Sequence, residues 1–467
     1  MPLLLFAYYT AERVFMQILF DKKFIFFLNI GGTQGFNKVS RAIIEAFVRN
    51  KMLGPMLTVH VPREFPLEDW GRILRPELIS CGQPTLYGEE SCRAALSRRG
   101  VPKEKLPFWA ANSCMGLVVP GEEWQDMWGA ILLLPLALEL VLDEGHFFRE
   151  KHPFDSGVPV QKITSYECCY EQLKAYIRAF FRTAVASEKI RRAEFMDHFQ
   201  NVFVSLFYKD CIARGKEVRN GGVKKCIMIV ETMGLVNLAD SLFTIKKLVF
   251  EEKKYTLAEL KQALKNDFAD TPELLADILR LPKFGENRGE VEKILQQLTD
   301  DVAEIAEEFC DEEFFCTPSL HTLHKHIDCG LQLGATADGR HAGEPLAKNA
   351  GTSPMVKTVH TSLILAASCW DQSRFSGGQP LDLWIPADVW NDPENIHRYA
   401  ALFSTYFERG GLQLQINGVD TAELKAALEY PEKYDHLIVR IGGFSMRFIE
   451  LDRRAQEDFI RRFSNGM

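Results

Sequence analysis

Clustered histidines, paired cysteines and loop glycines are the residues of this sequence whose type and spacing could do chemistry. His321-Thr-Leu-His324-Lys-His326 puts two imidazoles three residues apart, close enough to share one helix face. Zinc sites of that kind come with an HExxH stretch or a cysteine-rich partner. The sequence has neither, so hydrogen-bonded or solvated histidines are expected rather than a metal centre. Cys168-Cys169 is a tandem thiol pair inside a helical apolar pattern, where small thiols belong to the core. Gly334-Ala-Thr-Ala-Asp-Gly-Arg340 and Gly221-Gly222 lack the GxGxxG and GxxxxGK[ST] spacings that cradle phosphates. No GxSxG elbow supports a serine hydrolase. One stretch remains, a glycine pair near the C-terminus in Leu437-Ile-Val-Arg-Ile-Gly-Gly-Phe-Ser-Met-Arg-Phe448. Periodicity alone reads it as a strand followed by a tight glycine turn.

Such residues must be positioned by the elements around them. Short apolar runs at Phe24-Leu28, Met56-His60, Leu412-Ile416 and Leu437-Ile441 read as strands. Tyr166 to Ala186, Leu257 to Phe268 (with a start signal at Thr256) and Ile294 to Phe309 carry helical spacing. Glycine-bearing loops punctuate them, which predicts a mixed α/β enzyme. The apolar segment from Met127 to Leu142 is too short to cross a bilayer, contains Pro135 and Glu139, and reads as a buried helix. Met1 to Ala7 is apolar but lacks a basic start, a poor signal peptide. The 467 residues carry 55 Lys and Arg against 63 Asp and Glu, a net charge of -8. That mild acidity speaks against a nucleic-acid groove. Eleven cysteines without CxxC spacing suit reduced thiols in a cytoplasm.

The C-terminal stretch resembles the radical-bearing loop of the glycyl radical enzymes, the pyruvate formate-lyase-like superfamily. Its pattern, Arg-Val-x-Gly-Tyr-x-x-x-Phe, aligns on Arg440, Ile441, Gly442, Gly443, Phe444 and Phe448, which places the radical glycine at Gly443. Further stretches resemble the family in the same order along the chain. They are Asn29-Ile-Gly-Gly32, Ala239-Asp-Ser-Leu-Phe-Thr-Ile-Lys-Lys247, Leu281-Pro-Lys-Phe-Gly-Glu-Asn287, and Gly334 to Pro345 followed by Ser353-Pro354. Gly100-Val-Pro-Lys-Glu104, then Cys114, then Pro120-Gly121 is similar to the family's cysteine loop, which makes Cys114 the implied thiyl residue.

The resemblance implies a specific chemistry. A glycine Cα radical is delocalised by its flanking amide and carbonyl, and no side chain crowds it. A cysteine S–H bond is of comparable strength, so hydrogen transfer between Cys114 and Gly443 is near thermoneutral. The thiyl radical then abstracts a substrate hydrogen, which acid–base side chains cannot do. The implied fold is an α/β barrel of ten strands in two antiparallel half-barrels, with the two loops meeting inside. The implied layout is a remnant of the barrel domain over 1–330, carrying the cysteine loop, and a glycine radical domain over 331–467. No cofactor or metal is implied on the chain itself. A separate iron–sulfur activating enzyme using S-adenosylmethionine would install the radical. A homodimer in an anaerobe's cytoplasm, a small-molecule substrate, and no membrane or nucleic-acid partner are also implied. The function is a lyase, dehydratase or formate acetyltransferase-type reaction; the alternative is a non-catalytic fragment or subunit of a split enzyme.

Three departures qualify it. Many family dehydratases have a glutamate two residues after the cysteine, where this chain has Gly116, which cannot take a proton. Pyruvate formate-lyases carry tandem cysteines, whereas Ser113 and Met115 flank Cys114. Family members also extend several hundred residues further toward the N-terminus, so most of one half-barrel is expected to be missing, and unpaired edges should follow.

Overall fold

Twelve short strands carry the architecture among the described residues, which are 27–32, 35–50, 54–112, 114–149, 155–198, 200, 202–286 and 289–465 of this computed structural model. β1 (Phe27–Ile30), β2 (Met56–Val61) and β3 (Thr85–Gly88) run parallel. β3 pairs antiparallel with β10 (Gln413–Asn417), which pairs parallel with β9 (Pro380–Trp384), giving one five-stranded sheet. A second, parallel sheet has β6 (Glu123–Leu133), β7 (Lys225–Met233) and β8 (Phe314–Ser319), with β7 in the middle. Two hairpins complete the set: β4 (Ala110–Asn112) with β5 (Gly116–Val118), and β11 (Ile438–Arg440) with β12 (Ser445–Arg447).

Apart from the antiparallel β3–β10 pair, neighbouring strands in the two large sheets run parallel, the arrangement favoured where helices cover a sheet and both its faces are buried. Every residue of β2, β3, β9 and β10 is buried. Helices Tyr166–His198, Leu235–Thr244 and Glu290–Glu307 pack around the second sheet. Leu257–Lys265 begins where expected: Thr256 accepts the Glu259 N–H, and Glu259 returns a bond to the Thr256 N–H. The strand expectations at Met56-His60, Leu412-Ile416 and Leu437-Ile441 hold to within a residue or two. The strand at Phe24-Leu28 holds from Phe27 onward; its first residues, like Met1 to Ala7, Ser113 and Asn287, lie outside the described set.

One expectation fails. The run from Met127 to Leu142 is not one buried helix. It enters as β6, paired with β7, and becomes helical only at Pro135–Leu142. Proline explains the boundary: with no N–H to lose, it is well placed in a first helical turn, whereas upstream residues gain more by completing the sheet. No helix among the described residues is long and apolar enough to cross a membrane.

Candidate active site

Two alternating strands face each other across the interior, and the site lies between them. Along β10, Leu414 and Ile416 enter the main apolar core, so Gln413, Gln415 and Asn417 face the other way. Along β7, Met228 and Val230 join that core, while Ile227 and Ile229 pack on Met115 with Cys114 and Phe315 beside them. The loop after β4 runs into this gap. Gln413 donates its amide N–H to the Cys114 carbonyl at 2.9 Å. Upstream, Asn29 brackets Ala111, accepting its N–H at 2.9 Å and donating to its carbonyl at 3.2 Å. The Asn29 stretch is therefore a clamp on the cysteine loop.

The glycine loop enters the same gap from the hairpin β11–β12. Gly443 has φ +96°, a left-handed conformation that glycine adopts without strain. Its N–H donates to Gln415 Oε1 at 3.2 Å, and the same oxygen accepts from Arg440 Nε at 3.0 Å. Arg440 is fully buried. Its guanidinium also reaches the Thr85 hydroxyl, and Asn417 bonds both its N–H and its carbonyl. Burial lowers its pKa to about 10, still a cation at neutral pH. Gly442 is anchored by His321, whose Nε2–H donates to its carbonyl at 2.8 Å.

The two loops touch. A β-carbon built on Gly443 would stand 2.1 Å from Cys114 Cβ and 2.3 Å from its Cα. Residues 329 positions apart in the sequence are thus in direct backbone contact. Burial pushes the Cys114 thiol up to about 11, with Arg440 opposing and Glu231 adding, so it stays protonated at neutral pH. Met115 is seated against Gly378, whose φ of +113° and missing side chain leave it room. A β-carbon at Gly116 would collide with the Gln125 amide at 2.0 Å.

The other singled-out motifs are structural. His326 is buried and bonded to Asp458 at 2.9 Å, and His321 is buried on Gly442. Neither is solvated, and no group of three or more His, Cys, Asp or Glu among the described residues could hold a metal ion. Cys169 is fully buried in its helix. In the stretch from Gly334, Arg340 ties down the carbonyls of His341 and Glu344, while Asp338 accepts from Asn237 at 2.7 Å. That is a loop lock. Sequence reasoning missed Gln413 and Gln415, and it read His321 only as one of a cluster of hydrogen-bonded or solvated histidines. The strict amide–aliphatic alternation Gln413-Leu-Gln-Ile-Asn417 was the available signal.

Known proteins resemble this chain in sequence and fold. The family described as pyruvate formate lyase-like matches residues 28–330, and the one described as glycine radical matches residues 349–449. A (2S)-3-sulfopropanediol dehydratase of Klebsiella oxytoca is 24% identical over 461 residues, covering 92% of this chain and 53% of that protein. A trans-4-hydroxy-L-proline dehydratase of Clostridioides difficile is 25% identical, covering 93% and 55%. The glycerol-bound B12-independent glycerol dehydratase of Clostridium butyricum superposes with a TM-score of 0.86 at 27% identity, covering 93% of this chain and 56% of that one. The chain spans about half the length of these relatives. With both family patterns matched in order and the cysteine and glycine loops in contact, the chain belongs to the glycyl radical enzyme superfamily, on its pyruvate formate-lyase-like branch.

Proposed function

We propose that this chain carries the radical machinery of a glycyl radical lyase or dehydratase, with Gly443 as the radical site and Cys114 as the thiyl residue. The observation that carries the reading is the backbone contact between Gly443 and Cys114. The contact brings the Gly443 Cα–H next to the cysteine residue, as hydrogen-atom transfer requires. The raised thiol pKa fits, because a hydrogen-atom donor must hold its proton and a thiolate has none to give. Gln415 and Arg440 hold the glycine, and Gln413 holds the cysteine, so neither loop must reorganise for transfer.

The relatives' dehydratase names favour elimination from a small polar substrate over acyl transfer. A formate acetyltransferase reaction would need a second thiol to carry the acyl group, and Met115 stands beside Cys114. The five-stranded sheet is assigned to one half of a ten-stranded barrel, and the β6–β8 sheet to part of the other. Residues 1–330 then form the barrel portion with the cysteine loop, and 331–467 the glycine radical portion. The radical is installed by a separate iron–sulfur activating enzyme using S-adenosylmethionine. A homodimer in an anaerobic cytoplasm completes the reading. Anaerobic incubation with a cognate activase should give an electron paramagnetic resonance doublet near the free-electron position. Absence of any organic radical would leave a non-catalytic subunit as the remaining reading.

A further inference from the structure

Glu231 is a fully buried acid outside the residues assigned so far. It lies on β7, two residues beyond Ile229, and so faces the side on which Ile227 and Ile229 meet Cys114 and Met115. Its side chain is fully buried, neither carboxyl oxygen lies in good hydrogen-bond geometry, and the nearby Ser319 hydroxyl opposes the effect of burial on its pKa. Ser319, its register partner on β8, commits its hydroxyl to the Gly378 carbonyl at 3.0 Å. What Glu231 does face is His321: Oε1 and Nδ1 are 4.0 Å apart. His321 is fixed by its bond to Gly442, next to Gly443. Since Nε2–H donates there, Nδ1 carries the lone pair.

We propose that Glu231 and His321 are the proton-handling pair of the radical site, serving a substrate that loses a hydroxyl group from the carbon beside the radical. This rests on the radical reading above and deepens it, because it names the leaving group and the residues that move protons. The pair begins neutral. Burial pushes the Glu231 carboxyl well above its usual range, and burial lowers His321 to about 4, with Asp382 opposing and Lys348 assisting. A neutral acid can protonate a departing hydroxyl, and a neutral imidazole can accept a proton. Position 116, by contrast, has no side chain and abuts the Gln125 amide.

The step balances. The Cys114 thiyl takes a hydrogen atom from a carbon bearing a hydroxyl. The neighbouring C–O bond breaks with its electron pair on oxygen, which takes the Glu231 proton and leaves as water. The remaining hydroxyl gives its proton to His321 Nδ1, leaving a carbonyl beside a carbon radical. That radical takes the hydrogen atom back from Cys114, and His321 returns its proton to the Glu231 carboxylate. A vicinal diol becomes an aldehyde or ketone and water.

The test uses the activated full chain in D2O with glycerol, propane-1,2-diol and (2S)-3-sulfopropanediol. Wild-type protein should dehydrate at least one of them, and at pH 7 its infrared spectrum should contain a protonated-carboxyl band that Glu231→Gln removes. Glu231→Gln should keep the glycyl radical signal at the wild-type spin count and still wash deuterium into recovered diol through Cys114, while product formation falls about 10²- to 10⁴-fold. Glu231→Asp should recover part of it. The proposal is overturned if the carboxyl band is absent, if Glu231→Gln dehydrates at the wild-type rate, or if radical-bearing wild-type protein consumes none of the three diols. No glycyl radical signal of any splitting in the activated wild-type protein would instead overturn the radical reading itself, and this proposal with it.

Discussion

The direction in which an L-residue at position 443 would carry its β-carbon runs straight into Cys114, reaching within 2.1 Å of that residue's Cβ. In glycine the same direction holds a Cα–H bond, so a hydrogen of Gly443 points at the cysteine. The packing that forbids any other residue here is also the packing that hydrogen transfer needs. Steric exclusion and radical stabilisation ask for the same residue at this position.

Gly443→Ala should therefore abolish the doublet after activation. It should also destabilise the chain by about 1–3 kcal/mol through overpacking, with further strain from the left-handed backbone. Gly442→Ala is the informative comparison, because Gly442 is outside the left-handed region. It should fold less stably, since its β-carbon would crowd Leu323 Cα at 2.9 Å, yet keep the doublet. A doublet that survives Gly443→Ala and vanishes in Gly442→Ala would shift the radical to the other glycine. Deuterium at glycine Cα should collapse the splitting, and air should sever the activated chain at Gly443.

Cys114→Ser should leave the doublet intact after activation and stop turnover, because the hydroxyl O–H bond is too strong to give its hydrogen atom to the glycyl radical. In D2O the wild-type doublet should lose its splitting as Cys114 passes solvent deuterium to Gly443, and the serine variant should keep it. Cys169→Ala, in the helix core, should retain both behaviours. Turnover lost in Cys169→Ala but retained in Cys114→Ser would reverse the assignment.

Much of this site was legible in the sequence because its two central residues sit in motifs with fixed neighbours. Gly443 follows Arg440, and Cys114 lies between Gly100-Val-Pro and Pro120-Gly121. The supports were hidden for a physical reason. Gln413 and Gln415 occur in a strand that reads as apolar, and their meaning depends on which face of β10 meets the loops. His321 was expected to be hydrogen-bonded or solvated, but its partner could not be read from spacing, because the turn before the helix Lys325–Gln332 separates it from His326 and sends it to Gly442. Glu231 is the one acid in β7, just after the apolar run Cys226 to Val230. The Met127 to Leu142 segment misled because hydropathy does not report sheet pairing; the change at Pro135 did.

Gln415→Leu tests how the glycine loop is held. One amide oxygen serves both the Gly443 N–H and Arg440 Nε. Removing it leaves a buried donor and part of a buried cation unsatisfied, a cost of about 1–3 kcal/mol for the neutral donor alone. Thermal unfolding should show that loss. The activated variant should also hold fewer spins per chain than wild type, because the loop is no longer fixed against Cys114. Wild-type stability and spin count in Gln415→Leu would show that Asn417 and His321 suffice.

Asp240 sets a pH dependence unconnected with the radical. It is fully buried at the helix Leu235–Thr244 and accepts the Phe284 N–H at 2.8 Å. Burial pushes its pKa up to about 8, opposed by Lys283 and reinforced by Asp338 and Glu292. In the unfolded chain an aspartate titrates near 4, so the folded state binds this proton more tightly. The stability this confers is complete below about pH 4, drains away as pH rises, and is gone above about pH 8, where the buried carboxylate must ionise. Asp240→Asn keeps an acceptor for Phe284 and cannot ionise. Relative to wild type it should gain stability progressively across that window, reaching a plateau of a few kcal/mol above pH 8. Urea unfolding at pH 5, 7 and 9 reads this directly. A difference between the two proteins that stays constant over those three points would place the titrating group elsewhere.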